Sequence, residues 1–89
     1  MAPYRILLKP SVEKDLGSIP KGTVQRLLRR VEGLASEPIP RQSVKLTGAE
    51  RLYRVRVGDY RIIYTVDHEA RSVTIHYVRH RKDAYRSVG

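Results

Sequence analysis

The side chains best suited to chemistry in this sequence are arginines spaced along one short segment. In RVRVGDYRIIY, residues 54–64, Arg54 and Arg56 alternate with valines, and Arg61 follows a Gly-Asp pair. A guanidinium group is a rigid fork of N–H donors that fits the oxygens of a phosphate. The segment therefore predicts a site that binds phosphate groups.

A second group, in the C-terminal segment VTIHYVRHRKDAYRSVG, adds side chains that can exchange a proton. Within eight positions it holds Arg79, His80, Arg81, Lys82, Tyr85 and Arg86. Histidine and tyrosine exchange protons, whereas arginine effectively cannot. If the last strand lies beside the segment at 54–64, a proton donor or acceptor comes next to the phosphate-binding arginines.

The segment at 54–64 has the pattern of two strands joined by a two-residue turn whose first residue is Gly58. In that register Val57 faces Tyr60, and Arg56 faces Arg61. Like charges directly opposed on neighbouring strands destabilise the pair by roughly a few tenths of a kcal/mol. A bound anion would compensate this repulsion, so we expect a phosphate at the pair.

Strand alternation separates the side chains of this hairpin into an apolar face and a basic face. The apolar face holds Tyr53, Val55, Val57, Tyr60, Ile62 and Tyr64, and the other face holds Leu52, Arg54, Arg56 and Arg61. A less specific interpretation makes these arginines a solvated surface, partly neutralised by Glu50, Asp59 and Asp67. The proton-exchanging groups of the C-terminal segment favour the phosphate site.

The elements that position these residues predict a small α+β domain in the order β-α-α-β-β-β. The predicted elements are a strand at 4–9, helices at about 11–17 and 21–36, and strands at about 51–57, 60–66 and 72–79. Ser11 is the expected N-cap of the first helix. The apolar stripe of the second helix is typical of core packing. We expect one antiparallel sheet with a helical hairpin on one face, so the other face can meet a ligand.

Length and composition indicate a single domain, residues 1–89, with a polyanionic partner. The net charge is +9, and arginine accounts for 13 of the 18 basic residues. Nucleic acid is the first expectation for the partner, an acidic protein the second and anionic lipid the third. The chain has no cysteine and three scattered histidines, which predicts no metal site and no cofactor. No apolar run is long enough for a membrane span, so we expect a soluble, cytoplasmic protein.

Three stretches of the sequence together resemble the RelE/ParE superfamily of toxins from toxin-antitoxin systems, and most closely its RelE branch. They are YRILLKPSVEKDL, YRVRVGDYRIIYTV and VRHRKDAYR, which span nearly the whole chain. The resemblance implies a RelE-like microbial RNase fold. It also implies a ribosome-dependent endoribonuclease, or mRNA interferase, that cleaves mRNA in the A site. The implied partners are a cognate antitoxin, the mRNA and the ribosomal RNA, with no membrane.

The resemblance also assigns roles to individual residues. The family's basic pair before the turn matches Arg54 and Arg56, although the best-known pattern has lysines there. The arginine after the turn matches Arg61, the arginine after the last strand matches Arg81, and the C-terminal tyrosine matches Tyr85. The implied catalytic residues are Arg56, Arg61, His80, Arg81 and Tyr85. The implied RNA-binding residues are Arg51, Arg54, Arg79, Lys82 and Arg86.

These residue types suit cleavage of RNA by its own 2′-hydroxyl without a metal. Arg61 and Arg81 would stabilise the phosphorane, and Arg56 would donate a hydrogen bond. Tyr85 or His80 would serve as the base, with base and acid left unassigned between them. A less specific interpretation makes Tyr85 an aromatic lid and His80 a solvated loop residue. His76 is expected to be a hydrogen-bonded strand residue.

Two other functions remain open at the level of sequence. One is a ParE-like inhibitor of DNA gyrase without nuclease activity, although that branch generally lacks the ending seen in HRKDAY. The other is a module that binds RNA or ribosomes without cleaving RNA. A cut within the A-site codon would distinguish the nuclease from both.

Overall fold

Two helices and five strands form the part of the chain that the computed structural model describes, residues 3–46 and 52–81. In chain order they are β1 (Arg5–Leu8), α1 (Pro10–Gly17), α2 (Lys21–Ser36), β2 (Val44–Lys45), β3 (Leu52–Val57), β4 (Tyr60–Asp67) and β5 (Ser72–His80). The strands make one sheet in the order β1-β5-β4-β3-β2. The predicted α+β class and element order are confirmed, and β2 is an addition within the predicted loop.

The sheet is mostly antiparallel, but β1 and β5 pair in parallel. The expectation of a wholly antiparallel sheet was therefore wrong at this edge. A hairpin turn forces its two strands to run antiparallel, whereas β1 and β5 come from opposite ends of the domain with both helices between them. No local signal in the sequence reports that pairing.

Prolines mark the start of α1 and the end of α2. Pro10 occupies the first turn of α1, a position where its missing N–H costs no helical hydrogen bond. The N-cap of α1 is Lys9, so the expectation that Ser11 is the cap was wrong. α2 ends at Ser36, before Pro38, which disfavours helical backbone in the residue that precedes it.

The core lies between the helices and the apolar face of the sheet. Its buried residues are Val12, Leu27, Val31, Leu34, Val55, Ile62, Tyr64, Val66, Val73, Ile75 and Val78. Tyr64 is fully buried, and its ring stacks on that of Tyr53 with 5.8 Å between the ring centroids. Its hydroxyl donates a hydrogen bond to the carbonyl of Pro38 at 2.9 Å. Burial raises the pKa of Tyr64. The loop after α2 thus supplies the partner that a buried phenol needs.

α1 covers the part of the β5 edge that β1 leaves open. β1 pairs only with the residues from Ser72 to Ile75. Beyond them, the hydroxyl of Ser11 donates to the carbonyl of His76 at 2.7 Å, and Asp15 Oδ2 accepts the backbone N–H of Val78 at 3.1 Å. A helix therefore satisfies backbone groups that an exposed strand edge would offer to another chain.

The carboxylate of Asp15 also forms a salt bridge with Arg79. We predict that Asp15→Ala lowers the free energy of unfolding by about 2–3 kcal/mol. The substitution leaves the Val78 N–H without its acceptor and Arg79 without its carboxylate. Urea denaturation followed by circular dichroism measures the change.

The matched control is Glu13→Ala, which removes the same charge from an exposed position of the same helix. We expect it to cost less than about 1 kcal/mol, the scale of a charge near a helix terminus. Equal unfolding midpoints for the two variants would show that Asp15 does not hold the edge of β5.

Candidate nucleic-acid interface

The turn between β3 and β4 sets the geometry of the arginines. Gly58 has a φ of 59°, in the left-handed region that glycine adopts without strain, and Asp59 does not have a positive φ. This combination is typical of a type II′ hairpin turn. Val57 pairs with Tyr60 and Arg56 with Arg61, so the predicted register is confirmed.

β5 extends this pair into a row of three arginines. Arg61 pairs with Arg56 on one side and with Arg79 on the other. We call Arg56, Arg61 and Arg79 the arginine row. The β-carbons of directly opposed residues lie about 4.5–5.5 Å apart, so three like charges start from neighbouring positions. The last strand thus lies beside the hairpin, which is the condition for bringing its end close to these arginines.

The arginines of the predicted basic face differ in exposure. Arg56 is exposed and Arg54 is half-buried, whereas Arg61 is only 7% exposed. A guanidinium group held this deep has lost most of its hydration and has a strong field at short range. Arg54 Nε is buried and forms no hydrogen bond within the described residues.

Arg79, predicted to bind RNA, is held by α1 in this structure. Its guanidinium group forms the salt bridge with Asp15 and lies 4.8 Å from the centroid of the Tyr77 ring. Its charge is thereby partly neutralised. Among the described residues, the exposed Arg56 forms no salt bridge and keeps its full charge.

A β-bulge determines which side of β5 faces the row. Ile63 pairs with Tyr77 and Tyr64 pairs with Ile75, so His76 is the extra residue. Ile75 and Val78, three positions apart, are both buried in the core. The bulge therefore shifts the alternation by one residue and places Arg79 on the face of Arg61.

His80 follows on the opposite side of β5, toward the helices. It pairs with Tyr60, and the two rings meet edge to face with 5.2 Å between their centroids. Tyr60 packs against the core. His80 lines a pocket of about 300 Å³, whose other lining residues are Asp15, Ser18, Ile19, Tyr60, Val78 and Arg79. Arg54, Arg56 and Arg61 therefore lie on one face of the sheet, and His80 lies on the other.

Arg81 lies directly after β5 and beside the hairpin turn. Its backbone N–H donates to the carbonyl of Asp59 at 2.7 Å, and its side chain is exposed. The turn that opposes Arg56 to Arg61 therefore also holds the backbone of Arg81. The other predicted site residues, Arg51, Lys82, Tyr85 and Arg86, lie outside the described residues.

Sequence reasoning missed one further basic group. Arg26, Arg29 and Arg30 of α2 line a pocket of about 480 Å³ together with Arg56. The available signal was the spacing of these three arginines at i, i+3 and i+4, which places them on one side of a helix. That side had been interpreted only as the polar surface of the helix.

His76 has the predicted role of a hydrogen-bonded strand residue. Its Nε2 lies 2.9 Å from Thr65 Oγ1, and the side chain is half-buried. Burial lowers the pKa of His76, and the positive charge of Lys9 lowers it further. The imidazole therefore takes part in a hydrogen bond between β4 and β5 and does not belong to the arginine row.

Comparison with known proteins agrees with the fold and shows the family. The profile of the family described as ParE toxin of type II toxin-antitoxin system, parDE, matches residues 6–85. The chain belongs to the RelE/ParE family of type II toxins. It is similar to the putative toxin RelE1 of Methanocaldococcus jannaschii, with 29% identity over 87 residues. This match covers 94% of this chain and 97% of that protein.

Two solved RelE structures have the same fold as this toxin. The RelE-RelB complex from Pyrococcus horikoshii matches with 37% identity and a TM-score of 0.80, covering 89% of this chain and 96% of that chain. The toxin-antitoxin complex RelBE2 from Mycobacterium tuberculosis matches with 28% identity and a TM-score of 0.78, covering 89% and 99%. The chain is thus a RelE-like toxin of a type II toxin-antitoxin system, and the ParE-like alternative is not favoured. Within the described residues, no helix has the length and apolar character that crossing a bilayer requires.

The lowered pKa of His76 predicts a pH dependence of stability. A histidine that is harder to protonate when folded stabilises the fold above its ordinary pKa of 6.5. That contribution is lost as the pH falls below this value, because the unfolded chain binds the proton more readily. We expect His76→Gln, which cannot be protonated, to lose less stability than the wild type between about pH 8 and pH 5. Urea midpoints across this range measure the effect, and parallel curves for the two proteins would contradict it.

Proposed function

We propose that this toxin is a ribosome-dependent endoribonuclease that cleaves mRNA in the A site by attack of the RNA 2′-hydroxyl. The observation that carries the proposal is the opposed pair Arg56 and Arg61 on the sheet face that the helices leave open. Membership in the RelE/ParE family supports the same conclusion. A site of fixed positive charge is what a reaction at a phosphodiester needs most.

Arg61 is the central cation of this mechanism. The attacked phosphorus gains negative charge on its oxygens in the transition state, and an already oriented guanidinium group stabilises that charge without reorganisation. The deep burial of Arg61 holds the group in place. Arg56, directly opposite and exposed, would donate a second hydrogen bond to the same phosphate.

Arg81 would contribute from the end of β5. The hydrogen bond from its backbone to Asp59 fixes the start of its side chain beside the turn. Its exposed guanidinium group can then approach the phosphate from the side opposite the sheet. Arg54, half-buried on the same face, would bind a neighbouring phosphate of the same strand.

Proton transfer requires a base for the 2′-hydroxyl and an acid for the departing 5′-oxygen. We assign the base to Tyr85, because cationic neighbours favour the phenolate form of a tyrosine. His80 remains the second proton carrier of the proposal. Since its ring packs against Tyr60 on the helix side, His80 would have to act from the edge of the site. The products would be a 2′,3′-cyclic phosphate, or the 3′-phosphate formed from it, and a 5′-hydroxyl.

The proposed protein partner is a cognate antitoxin. Two similar toxins, from Pyrococcus horikoshii and Mycobacterium tuberculosis, were solved as complexes with their antitoxins. A net charge of +9 favours an antitoxin segment with acidic residues. Such a segment would cover the arginine face and exclude RNA.

We predict that Arg61→Gln and Arg81→Ala each lower the rate of A-site cleavage at least about 10²-fold. Each substitution removes one positioned donor from the transition state. Tyr85→Phe should lower the rate as well, because it removes the only proton of that side chain that can exchange. Primer extension on translating ribosomes, with purified toxin and a defined message, measures the cleavage.

The matched control is Arg5→Gln, which removes one exposed arginine at the far end of the sheet. Arg5 pairs with Ser72, which lies seven positions before Arg79 along β5, or about 23 Å away. Its cleavage rate should equal that of the wild type. Circular dichroism establishes that every variant is folded. Wild-type cleavage by both Arg61→Gln and Arg81→Ala would remove the arginine face from the mechanism.

The same purified protein separates the proposal from its alternatives. A ParE-like toxin would inhibit supercoiling by DNA gyrase and leave the message uncut. A simple binding module would associate with ribosomes and also leave the message uncut. Only the nuclease produces a new end within the A-site codon.

A further inference from the structure

A second basic site lies at the edge of the sheet, between α2 and the β3–β4 turn. We call it the edge pocket. It has a volume of about 480 Å³, within the ordinary range for ligand pockets. Its lining consists of Arg26, Arg29, Arg30, Gly33, Arg56, Val57 and Gly58. Four of the seven residues are arginines, and the lining includes no acidic residue.

No carboxylate of the described residues forms a salt bridge with an arginine of the edge pocket. The one salt bridge among the described residues joins Arg79 to Asp15, at the opposite side of the sheet. Like charges at i, i+3 and i+4 of a helix repel each other, so the arginines of α2 destabilise the helix they lie on. A bound anion would turn this repulsion into attraction.

The side chain of Arg26 lies against the hairpin turn at Gly58. A β-carbon added to Gly58 would lie 3.5 Å from one terminal nitrogen of Arg26. Gly58 also has the positive φ that makes any side chain there strained. The turn thus presents bare backbone to the guanidinium group, and Arg26 lies close above it.

The pocket opens at a stretch of strand edge that no neighbour covers in the described structure. β2 pairs with Tyr53 and Arg54 only, so the outer edge of β3 from Arg56 onward has no strand beside it. Arg56 belongs both to this pocket and to the arginine row. The two basic sites are therefore continuous around the edge of the sheet.

We propose that the edge pocket binds a backbone phosphate of RNA, next to the phosphate held by the arginine row. The inference rests on the proposed function in that the same RNA would occupy both sites. Continuity through Arg56 favours a single polymer with regularly spaced phosphates over a separate anionic partner. Every charged residue of the lining is an arginine, which matches forked recognition of phosphate oxygens. Contacts of this kind position a nucleic acid without reading its sequence.

The test uses a double variant, Arg29→Gln with Arg30→Gln, which leaves the arginine row intact. The probe is a short single-stranded RNA with 2′-O-methyl groups, which cannot be cleaved. Fluorescence anisotropy gives its affinity between about 50 and 200 mM salt. We expect roughly tenfold weaker binding, the effect of losing one charge-assisted contact. We also expect the slope of log K against log salt to become shallower by about 0.7, the value for one phosphate of a single strand.

The control is a second double variant, Arg5→Gln with Arg41→Gln, which removes the same charge from two exposed residues outside the pocket. It should bind the RNA as the wild type does, and thermal melting shows that both double variants are folded. Equal affinity and slope for the two double variants would overturn the edge pocket as a phosphate site. Equal losses in both would do the same, since they would report net charge alone.

Two further outcomes separate this inference from the proposed function. If the wild type fails to cut mRNA but the pocket variant still binds RNA more weakly than the control, the nuclease assignment fails and the edge pocket stands. A labelled polyglutamate peptide serves as the acidic-protein probe. If the pocket variant loses binding to the peptide while its RNA affinity is unchanged, the site belongs to an acidic protein and the RNA proposal is wrong.

Discussion

A two-residue turn controls the chemistry of this molecule. Gly58 adopts a positive φ, and the turn fixes the pairing of Arg56 with Arg61. Because side chains alternate along a strand, a slip of one residue would bring Arg61 toward the core and Ile62 toward water. The buried apolar face and the basic face therefore enforce the same register. Repulsion between the opposed arginines is tolerated since burial of the other face is worth far more.

Acidic partners are distributed unevenly among the arginines of the sheet. At the β5 side, Asp15 neutralises Arg79 and also accepts a backbone hydrogen bond. At the β3 side, Arg56 has no acidic partner within the described residues and adjoins the edge pocket. Within the arginine row, the net positive charge is therefore larger at Arg56 than at Arg79. A polyanion approaching this face would be oriented by that difference before making any specific contact.

Local patterns in the sequence predicted the α+β order, the hairpin register and the two faces of the hairpin. These features depend on turn chemistry and on period-two alternation, which a short segment carries by itself. The parallel pairing of β1 with β5, the edge role of α1 and the position of His80 depend on contacts between distant segments. Ser11 illustrates the difference: its local context suggested a helix cap, whereas its hydroxyl binds the carbonyl of His76 on β5. The edge pocket was missed because three arginines on a helix side acquire meaning only when Arg56 is known to lie opposite.

Because of the bulge at His76, the sheet face on which the later residues of β5 lie depends on the number of residues in the strand as well as on their types. One additional residue is accommodated there, so everything that follows is inverted relative to a regular strand. Removing that additional residue would make the pairing regular and would leave Arg79 opposite Arg61 and His80 opposite Tyr60. A strand of unchanged length that lost the bulge would instead exchange the faces of Arg79 and His80. Related chains that differ by one residue between Ile75 and Val78 would have to be aligned by the sides their residues face, not by identity alone.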